Sequence, residues 1–496
     1  MRPLITPAAM RAMERRYFDG TGTRSIDLME TAARALCTAI LSRYGNDKTI
    51  GFACGPGGNG GDGYACARMY REAGGRAFIV SAGAPTSPDA AENLLRARAA
   101  GVSEDAEVCP DIWVDSLYGT GLSRAPTGPS AALIGRINAD RASGSAVVAV
   151  DIPSGLNGLT GAAFAPCVHA DLTCTFQYAK PGCLLGDGLD LAGKVLTLDI
   201  GIPASFYPED SPALVDEEDV RAVLPKRPRN FHKGNAGHLL IVAGSFGMAG
   251  AAALCAMSAL ACGAGLVTIA CPHSIVPMLQ ALVPCAMCAP LPETDGAISA
   301  GAVEALEKII PGKDALVCGC GLSRRAAPEV VQAVLSCGLP VLLDADGLNI
   351  LSESEALKAL LRPHHLLTPH PGEAARLLGR RVENPIEDAL ELKALGAQVL
   401  LKGAATVIPL GDRPLVSISG TSGMAKGGSG DCLSGVIGAL MAQHKGASGD
   451  ALALCAAVGS ELHGLAGERA CQRRGMRGMT PLDMIDALPE VLKPYD

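Results

Sequence analysis

The chain has 496 residues, of which 48% are hydrophobic but only 3% are aromatic, and its formal net charge is −8. This length allows two or three domains, and so few aromatic residues indicate cores of small aliphatic side chains packed between helices and parallel strands. The negative charge and the lack of a long basic run exclude nucleic acid as a partner, so we expect small-molecule ligands.

The N-terminal residues and the cysteines indicate a cytoplasmic protein. The first twenty residues are basic but have no apolar run behind them, which is unlike a signal peptide. The eighteen cysteines lie mostly in apolar stretches, as is typical of buried thiols in a reducing compartment. The close pairs Cys285/Cys288 and Cys318/Cys320 could each be half of a zinc site, but their apolar, histidine-poor surroundings favour simple packing.

The first half of the chain alternates between short apolar runs and helical patterns. The runs are TIGFACG, AFIVSAG, IWVDSLYG, VVAVDIPSG and KVLTLDIG. Strands that alternate with helices predict an α/β fold with a Rossmann-like, doubly wound sheet. Ligands of such a sheet lie at the carboxyl ends of its strands.

The second half repeats this alternation after a segment rich in proline and charge, Ile202 to Arg229. We therefore predict two α/β domains, residues 1–212 and 213–496. No Asp, Glu, Lys or Arg occurs between Lys233 and Glu293, but glycine and proline interrupt this stretch too often for a transmembrane helix. The pattern predicts a buried βαβ unit and no membrane association.

The first strand leads into CGPGGNGGDG, where Gly55, Gly57 and Gly60 satisfy the GxGxxG pattern. A dinucleotide-dependent dehydrogenase would also need an acid at the end of the next strand, and that strand ends without one in AFIVSAGAP. What remains is a glycine-lined helix start, which is a suitable cradle for an anion.

Polar residues also follow two further strands. Asp115 ends one strand, Asp151 ends the next, and Ser154 follows it. Each could simply cap a turn or a helix. Together with Asn59 and Asp62 of the glycine loop, however, they bring carboxylate, amide and hydroxyl oxygens to one sheet edge, and such oxygens bind hard cations.

These motifs resemble the NAD(P)H-hydrate epimerase family in order and spacing. The resemblance covers roughly Pro3 to Pro203 and includes DSLYGTGLSR, AVDIPSGLNG and TFQYAKPG. It implies a potassium ion held by Asn59, Asp115 and Ser154, with Asp151 as the acid–base residue that inverts the hydroxylated ring carbon. The implied substrate-binding residues are Gly58, Asn59, Gly60, Gly61, Asp62, Gly119, Thr120, Gly121, Leu122, Ser123, Arg124, Ala125 and Asp151. The family usually has Asn where Gly58 stands.

The strongest motif of the second half is GMAKGGSGDCLSG, in which GGSGD precedes an apolar helical pattern. The amides of Gly428 to Gly430 would form a hole for the charge of a transferring phosphoryl group. Asp431 could be a partner of the helix dipole or the base that takes a proton from an attacking hydroxyl.

The second half resembles the NAD(P)H-hydrate dehydratase family, a branch of the ribokinase-like fold, through HKGNAGHLLIVAGS, LLDADGLNIL, LLTPHPGEAARLLG and VLLKGAATVI. The resemblance implies Asp431 as the catalytic residue and a magnesium-bound ADP or ATP. It places Ala252, Gly321, His370 and Asp431 at the hydrate, and Lys402, Gly403, Ala404, Ala405, Thr406 and Gly430 at the nucleotide. Glu373 stands where related kinases place an acid near magnesium, or is a surface acid at a helix start.

Two alternatives remain at this point. The second domain could be a hydroxymethylpyrimidine- or sugar-type kinase, and the first a non-catalytic binding module like those of mRNA-decapping enhancers. The HPGE block argues against the former, and the retained Asn59, Asp115, Asp151 and Ser154 argue against the latter. We also expect a homo-oligomer.

Overall fold

A computed structural model describes residues 2–104 and 108–496. The chain divides into two compact units between Pro212 and Ala213, with Arg2 grouped with the second unit. Each unit is described by itself.

The N-terminal unit is built around one parallel sheet. A two-residue strand, β1 (Arg2–Pro3), belongs to another sheet. The strands of the parallel sheet are β2 (Thr49–Cys54), β3 (Arg76–Ser81), β4 (Ile112–Ser116), β5 (Ala146–Val150), β6 (Leu172–Phe176) and β7 (Lys194–Leu198). Its helices are α1 (Pro7–Thr21), α2 (Ser25–Tyr44), α3 (Gly58–Glu72), α4 (Pro88–Ala99), α5 (Gly128–Ala142) and α6 (Gly188–Leu191), with short 3₁₀ helices at Pro181–Cys183 and Ala204–Phe206.

The strand order of this sheet is β3-β2-β4-β5-β6-β7, and all neighbouring strands are parallel. The chain moves from β2 outward to β3 and then returns to the other side of β2 with β4. The order therefore reverses between β2 and β4. In doubly wound sheets the crevice at such a point is where ligands bind.

Glycines let the segment after β2 approach its neighbours closely. A Cβ on Gly55 would lie 1.9 Å from the carbonyl oxygen of Leu117, and one on Gly60 would lie 1.9 Å from the carbonyl oxygen of Gly55. Both distances are far below van der Waals contact, so only glycine fits. At these two positions the GxGxxG pattern is thus explained by backbone packing, without a dinucleotide.

The C-terminal unit is larger. Its strands are β8 (Ala213–Leu214), β9 (His238–Val242), β10 (Leu266–Pro272), β11 (Met287–Leu291), β12 (Glu293–Thr294), β13 (Ala297–Ile298), β14 (Ala315–Cys318), β15 (Val341–Leu343), β16 (His365–Leu367), β17 (Gln398–Val399), β18 (Thr406–Leu410) and β19 (Arg413–Ser417). Its helices are α7 (Glu217–Val223), α8 (Ala249–Ala261), α9 (Val276–Leu282), α10 (Val303–Ile309), α11 (Pro328–Leu335), α12 (Ala345–Ser352), α13 (Glu355–Lys358), α14 (Pro371–Leu378), α15 (Pro385–Lys393), α16 (Ser429–Gln443), α17 (Asp450–Arg474) and α18 (Pro481–Leu492). Short 3₁₀ helices lie at His273–Ile275, Ala300–Ala302, Ser422–Met424 and Lys493–Tyr495.

The main sheet of this unit has the order β11-β10-β9-β14-β15-β16-β17. Its neighbouring strands are parallel, and β18 pairs antiparallel with β19 in a second, smaller sheet. The order reverses at β9, which lies between β10 and β14. The carboxyl ends of β9, β14, β15 and β16 therefore surround the second expected ligand site.

The uncharged stretch that follows Lys233 forms β9, α8 and β10, as predicted. Helix α8 packs closely on α16, and the lack of a side chain at Gly435 permits this approach. A Cβ at that position would lie 2.1 Å from the carbonyl oxygen of Cys255. None of the described helices is long and apolar enough to cross a membrane.

The α/β class of both halves is confirmed, although three strands of the two main sheets were not recognised from the sequence. Every second residue of strand β6 is polar at Thr173 and Thr175, which interrupts the apolar run. Both threonines are nevertheless buried, because their hydroxyls donate to the carbonyl oxygen of Ala192 and to Asp151. Strands β11 and β16 were missed as well. Strand β16 is only three residues long, and β11 lies at the edge of its sheet, partly exposed.

Candidate functional site

A cavity of about 490 Å³ lies at the crevice of the N-terminal sheet. Its walls include Glu14 from α1, Gly57–Asn59 and Asp62 around the start of α3, Leu117–Leu122 after β4, and Asp151 after β5. Apart from Glu14, these residues follow the carboxyl ends of β2, β4 and β5, next to the point where the strand order reverses. The sheet topology thus brings together most of the residues that the sequence assigned to the first site.

Asp151 is held in a fixed orientation at the bottom of this cavity. Its backbone has φ of 67°, a strained conformation for a residue other than glycine. Its Oδ1 accepts hydrogen bonds from Lys180 Nζ at 2.5 Å, Thr175 Oγ1 at 3.1 Å and the amide of Phe176 at 3.2 Å. Within the described chain Oδ2 receives no hydrogen bond, so this oxygen remains for a ligand.

Lys180 is completely buried. Its ammonium group donates to Asp151 Oδ1, to the carbonyl oxygen of Phe176 at 3.0 Å and to Thr175 Oγ1 at 3.3 Å. An ammonium has three hydrogens, and all three are used here. Lys180 therefore balances the charge of Asp151 and fixes its position, and it has no hydrogen left for a ligand.

Two further carboxyl groups line the cavity, on Glu14 and Asp62. Burial raises the pKa of Glu14 to about 7; the charge of Asp151 adds to this rise, whereas Lys180 and Arg11 oppose it. Burial, followed by the charges of Asp151 and Glu14, raises the pKa of Asp62 well above its usual range. The cavity therefore contains two carboxyl groups whose protonated form is favoured by burial, beside the ion pair.

Of the three residues predicted to hold potassium, Asn59 lines the cavity, whereas Asp115 and Ser154 are buried and hydrogen-bonded to the backbone of Leu117 and Tyr118 in its wall. Asp115 is fully buried, and its two carboxylate oxygens accept from Ser154 Oγ at 2.6 Å and from the amide of Ser154 at 2.8 Å. Burial raises the pKa of Asp115 to about 6, although the hydrogen bonds from Ser154 lower it. No Lys or Arg among the described residues pairs with this carboxylate.

Asn59 completes the predicted set. Its amide nitrogen is buried and has no hydrogen-bond partner, while its Oδ1 lies 3.3 Å from the position of a Cβ on Gly119. An amide group has nearly the same shape when its oxygen and nitrogen exchange places. The Asn59 side chain can therefore also present its oxygen at the buried position. Oxygens of Asn59, Asp115 and Ser154 with an uncompensated buried carboxylate suit a monovalent cation.

Other residues assigned to the first site do not line the cavity. Gly60 and Gly61 are buried against Gly55 and Met29, respectively, and contribute close packing. Ser123, Arg124 and Ala125 continue the loop beyond Leu122 and are exposed. The loop is attached to α1, because Arg11 donates to the carbonyl oxygen of Thr120 at 2.9 Å.

The C-terminal site is organised by Asp344, which follows β15 and is almost fully buried. Its Oδ1 accepts from Lys402 Nζ at 2.6 Å, and its Oδ2 accepts from Ser434 Oγ of α16 at 2.7 Å. Burial opposes the charge of Lys402, but Asp344 and Glu373 outweigh it and raise the pKa of this lysine. Lys402 therefore carries a positive charge beside the start of α16.

Helix α16 begins with the residues expected to form the anion hole. Gly428 is the N-cap with φ of 98°, and a Cβ on Gly430 would lie 3.7 Å from Lys402 Nζ. Burial raises the pKa of Asp431 to about 6, and the charge of Asp344 adds to the rise. Helix amides, a lysine and a carboxyl group that titrates near neutrality are thus adjacent.

His370 and Glu373 form a capping box at the start of α14. His370 Nδ1 accepts from the amides of Gly372 and Glu373, and Glu373 Oε2 accepts from the amide of His370 at 2.8 Å. Burial lowers the pKa of His370, and Lys402 lowers it further. Glu373 is not a surface acid, because it is buried 3.8 Å from Lys402.

Most of the remaining predicted residues of the second site have small side chains or none. Ala252 is fully buried in the first turn of α8 and packs in the hydrophobic core. Gly321 has φ of 60° and accepts a hydrogen bond from Ser245 Oγ at 2.9 Å. Residues 402–406 form a tight turn, closed by backbone hydrogen bonds between Leu401 and Val407.

Four residues of these sites escaped the sequence analysis: Glu14, Lys180, Asp344 and Ser434. Lys180 and Asp344 stand within the motifs TFQYAKPG and LLDADGLNIL, so a charged residue beside an apolar run was the available signal. Glu14 follows the buried Met13 on an amphipathic helix, where nothing distinguishes it from a surface acid.

The two close cysteine pairs differ in burial. Cys318 and Cys320 are buried around the end of β14, whereas Cys285 is exposed. All eighteen cysteines are free. Across residues 2–104 and 108–496 no cluster of three or more His, Cys, Asp or Glu side chains could hold a metal ion.

Comparisons with known proteins cover both units. A family model described as NAD(P)H-hydrate dehydratase matches residues 239–490, and one described as YjeF-related protein N-terminus matches residues 25–182. A bifunctional NAD(P)H-hydrate repair enzyme from Moorella thermoacetica is 36% identical over 99% of this chain and 96% of that protein. One from Escherichia coli K12 is 34% identical over 98% of this chain and 93% of that protein.

The solved structures add a comparison of the fold. A ribokinase-like superfamily protein from Enterococcus faecalis covers 58% of this chain and 98% of its own, with a TM-score of 0.50 and 24% identity. This similarity shows that the C-terminal unit has the ribokinase-like fold, as predicted.

Proposed function

Because the chain belongs to the family of bifunctional NAD(P)H-hydrate repair enzymes, we propose a division of labour between its two units. The N-terminal unit interconverts the R and S hydrates of NADH and NADPH, and the C-terminal unit dehydrates the S hydrate at the expense of ADP or ATP. The family predicted from the sequence motifs is confirmed, and the kinase and binding-module alternatives are set aside.

The buried Asp151–Lys180 pair is the observation that carries the first assignment. In a nicotinamide hydrate, the nitrogen lone pair can expel the hydroxyl from the neighbouring carbon and leave an iminium ion. Water that adds to the other face inverts the centre. Asp151 Oδ2, free of hydrogen bonds within the described chain, is the group we assign to proton transfer with the water molecule.

Potassium fits the oxygens of Asn59, Asp115 and Ser154. A bound cation would supply the positive charge that no neighbouring Lys or Arg of the described chain gives to Asp115. Asp115 and Ser154 together hold the backbone of Leu117 and Tyr118 at the cavity wall, through hydrogen bonds of 3.2 and 2.9 Å. We propose that the ion shapes the substrate loop and does not itself touch the ring.

In the C-terminal unit we assign Asp431 as the base that takes the proton from the hydrate's hydroxyl group. The hydroxyl oxygen then attacks the terminal phosphoryl group of the nucleotide, and the bond from that phosphorus to the rest of the nucleotide breaks. The phosphate then leaves the ring carbon more readily than hydroxide would. Lys402 and the amides at the start of α16, around Gly430, stabilise the negative charge of that transfer. Loss of a ring proton restores the dihydronicotinamide.

The nucleotide is assigned to residues 402–406 and Gly430. Lys402 is tied to the backbone oxygen of Pro369 by its amide at 2.8 Å, which places it beside His370 and Glu373. Magnesium with ADP or ATP would need a carboxylate at this point, and Glu373 is the acid positioned to provide one. Such an ion would neutralise phosphate charge.

The experiment that tests this function uses mixed hydrate epimers with ADP, ATP or no nucleotide. We expect complete regeneration of NADH, followed at its absorbance band, with at least one nucleotide. Without nucleotide, the epimers should interconvert and no NADH should form. A stable phosphorylated product without NADH would instead indicate a kinase.

We also propose that residues 1–212 and 213–496 are independent domains, since the division between the compact units falls after Pro212. Expressed separately, the C-terminal piece should consume only one epimer and leave about half of a mixed sample. Addition of the N-terminal piece should allow the reaction to finish. Equal consumption of both epimers by the C-terminal piece alone would contradict this division. The eighteen free cysteines support a reducing, cytoplasmic setting, and the homo-oligomer stays a prediction.

A further inference from the structure

Removal of the hydroxyl group needs a proton donor, and neither member of the Asp151–Lys180 pair is suited to that task. Lys180 is completely buried and its three hydrogens are donated to Asp151, Thr175 and Phe176. Asp151 accepts three hydrogen bonds on one oxygen, one of them from the Lys180 ammonium group, so it is placed to accept a proton and not to donate one. This pair provides a base but no mobile proton.

Helix α1 places another carboxyl group in the same cavity. The helix is fixed by Met10 and Met13, which are buried in the core, and Glu14 follows Met13 and lines the cavity. Arg11, one turn earlier, donates to the carbonyl oxygen of Thr120 on the substrate loop. Glu14 makes no hydrogen bond with any described residue, so its carboxyl group is available to a ligand.

We propose that Glu14 is a second acid–base residue of the epimerase site, donating the proton that leaves with the hydroxyl group while Asp151 accepts a proton from the incoming water. This inference rests on the proposed epimerase function and extends it. The two groups reach the cavity from different elements, α1 and the end of β5. Inversion requires departure from one face and addition to the other, which one fixed carboxylate serves poorly.

The proposed reaction is balanced in protons and electrons, and it needs no further reactant. The carbon–oxygen bond breaks with its electron pair on oxygen, which takes the proton of Glu14 and becomes water. The nitrogen lone pair forms the carbon–nitrogen double bond. Water then adds its lone pair to the other face, the double-bond pair returns to nitrogen, and the extra proton passes to Asp151. In the reverse direction the two carboxyl groups exchange roles, and cavity water returns the proton between turnovers.

The charges around Glu14 agree with this role. Asp151 and the burial of the site favour the protonated form, while Lys180 and Arg11 favour ionisation, so the pKa of Glu14 lies at about 7. Asp62 on α3 lines the same cavity, and burial, followed by the charges of Asp151 and Glu14, raises its pKa as well. A group that titrates near neutrality can both give and regain a proton.

The test compares Glu14→Gln with wild type in the full-length enzyme. Epimerisation is measured without nucleotide, by chromatographic separation of the R and S hydrates between pH 6 and pH 9. Because Glu14 acts in its protonated form, the wild-type rate should fall as the pH rises through about 7. Glu14→Gln should lower kcat by about 10²-fold or more and abolish this alkaline decline, with KM nearly unchanged.

Two controls keep the result specific. Asp19→Asn makes the same carboxyl-to-amide change at an exposed position of α1 and should behave as wild type. Glu14→Asp retains a carboxyl group, so it should be slower but keep the alkaline decline. Dehydration of purified S hydrate in the same chain should be unaffected in all variants. The fluorescence of Trp113, which is buried in the N-terminal unit, verifies that this unit folds.

A Glu14→Gln enzyme with an unchanged rate would overturn the inference, and so would a slower one that keeps the alkaline decline, because another group would then supply the proton. If Glu14→Gln did not fold, the absence of a decline in Glu14→Asp would overturn it equally. Wild-type enzyme that does not interconvert the epimers would refute the epimerase function itself, and the role of Glu14 with it.

Discussion

Each half of the molecule pairs a buried aspartate with a lysine, but the two lysines are placed differently. Lys180 is fully buried, and its three hydrogens are donated to groups of its own unit. Lys402 is 19% exposed, donates one hydrogen bond to Asp344, and lies close to Gly430 at the start of α16. The first lysine fixes a carboxylate that performs chemistry, whereas the second has hydrogens left for an incoming phosphate.

Among the variants that test this difference between the two lysines, Lys180→Met should have the largest effect. Removal of one partner from a buried ion pair typically costs about 3–5 kcal/mol, because the other charge is left without compensation. We expect a loss of this size in the stability of the N-terminal unit, together with loss of epimerisation. Trp113, the only tryptophan of the chain, is buried in that unit, so its fluorescence during urea unfolding reports the change.

Lys402→Met is the matched variant in the other unit. The Trp113 transition should stay where it is in wild type. The nucleotide KM should rise about 10- to 100-fold, because a hydrogen bond to a charged group is worth about 1.5–3 kcal/mol. Equal shifts of the Trp113 transition in both variants would show that the two ion pairs do not differ as described.

The second prediction compares the acids of the two sites. Asp431→Asn should lower dehydration by about 10²-fold or more, while epimerisation and nucleotide binding are retained. Asp431 acts ionised and its pKa is about 6, so wild-type dehydration should fall as the pH drops through about 6. Initial rates of NADH formation from S hydrate between pH 5 and pH 8 measure this. An Asp431→Asn enzyme with full activity would remove Asp431 from the mechanism.

The difference between the two sites also explains what the sequence could predict. Asp151 and Asp431 stand at a strand end and a helix start beside glycine-rich motifs, so local pattern and family resemblance identified both. Their partners were not predictable in the same way. Lys180 meets Asp151, 29 residues away, only because β5 and β6 are neighbours in the sheet.

Longer separations were harder still. Ser434 lies 90 residues after Asp344, and their hydrogen bond depends on where α16 crosses the end of β15. Glu14 reaches the cavity from a helix whose pattern shows only which face is buried. The α/β class and the glycine-rich helix starts follow from periodicity and backbone sterics, but side-chain pairing depends on the order of strands in the sheet, which periodicity does not specify.

The third prediction concerns charge compensation. Asp344 has its own lysine, whereas Asp115 has hydrogen bonds from Ser154 and Leu117 but no side-chain cation within the described chain. Epimerisation should therefore require potassium, and dehydration much less so. Asp115→Asn keeps the shape and removes the charge, so half-maximal epimerisation should need about 10-fold more potassium, given about 1.5 kcal/mol or more for a lost charged contact. Potassium titration of both activities measures this, and a rate independent of potassium would return Asp115 to a structural role.

The smallest effect is expected at the helix starts themselves. A Cβ on Gly58 would meet nothing within 4 Å, whereas one on Gly430 would lie 3.7 Å from Lys402 Nζ and 3.9 Å from Asp344 Oδ2. The first site therefore has room for the asparagine that the epimerase family usually has at Gly58. Gly58→Asn should lower the KM for hydrate about 2- to 10-fold, since one added hydrogen bond contributes about 0.5–1.5 kcal/mol.

Gly58→Ala is the control for this change, because it restricts the backbone in the same way but adds no amide group. It should leave the KM near the wild-type value, and both variants should unfold within about 0.5 kcal/mol of wild type, as is usual for substitutions that disturb no contact. Equal gains from alanine and asparagine would mean that a stiffer helix start, and not an added hydrogen bond, improves binding. The open space at Gly58 would then have no part in recognition of the substrate.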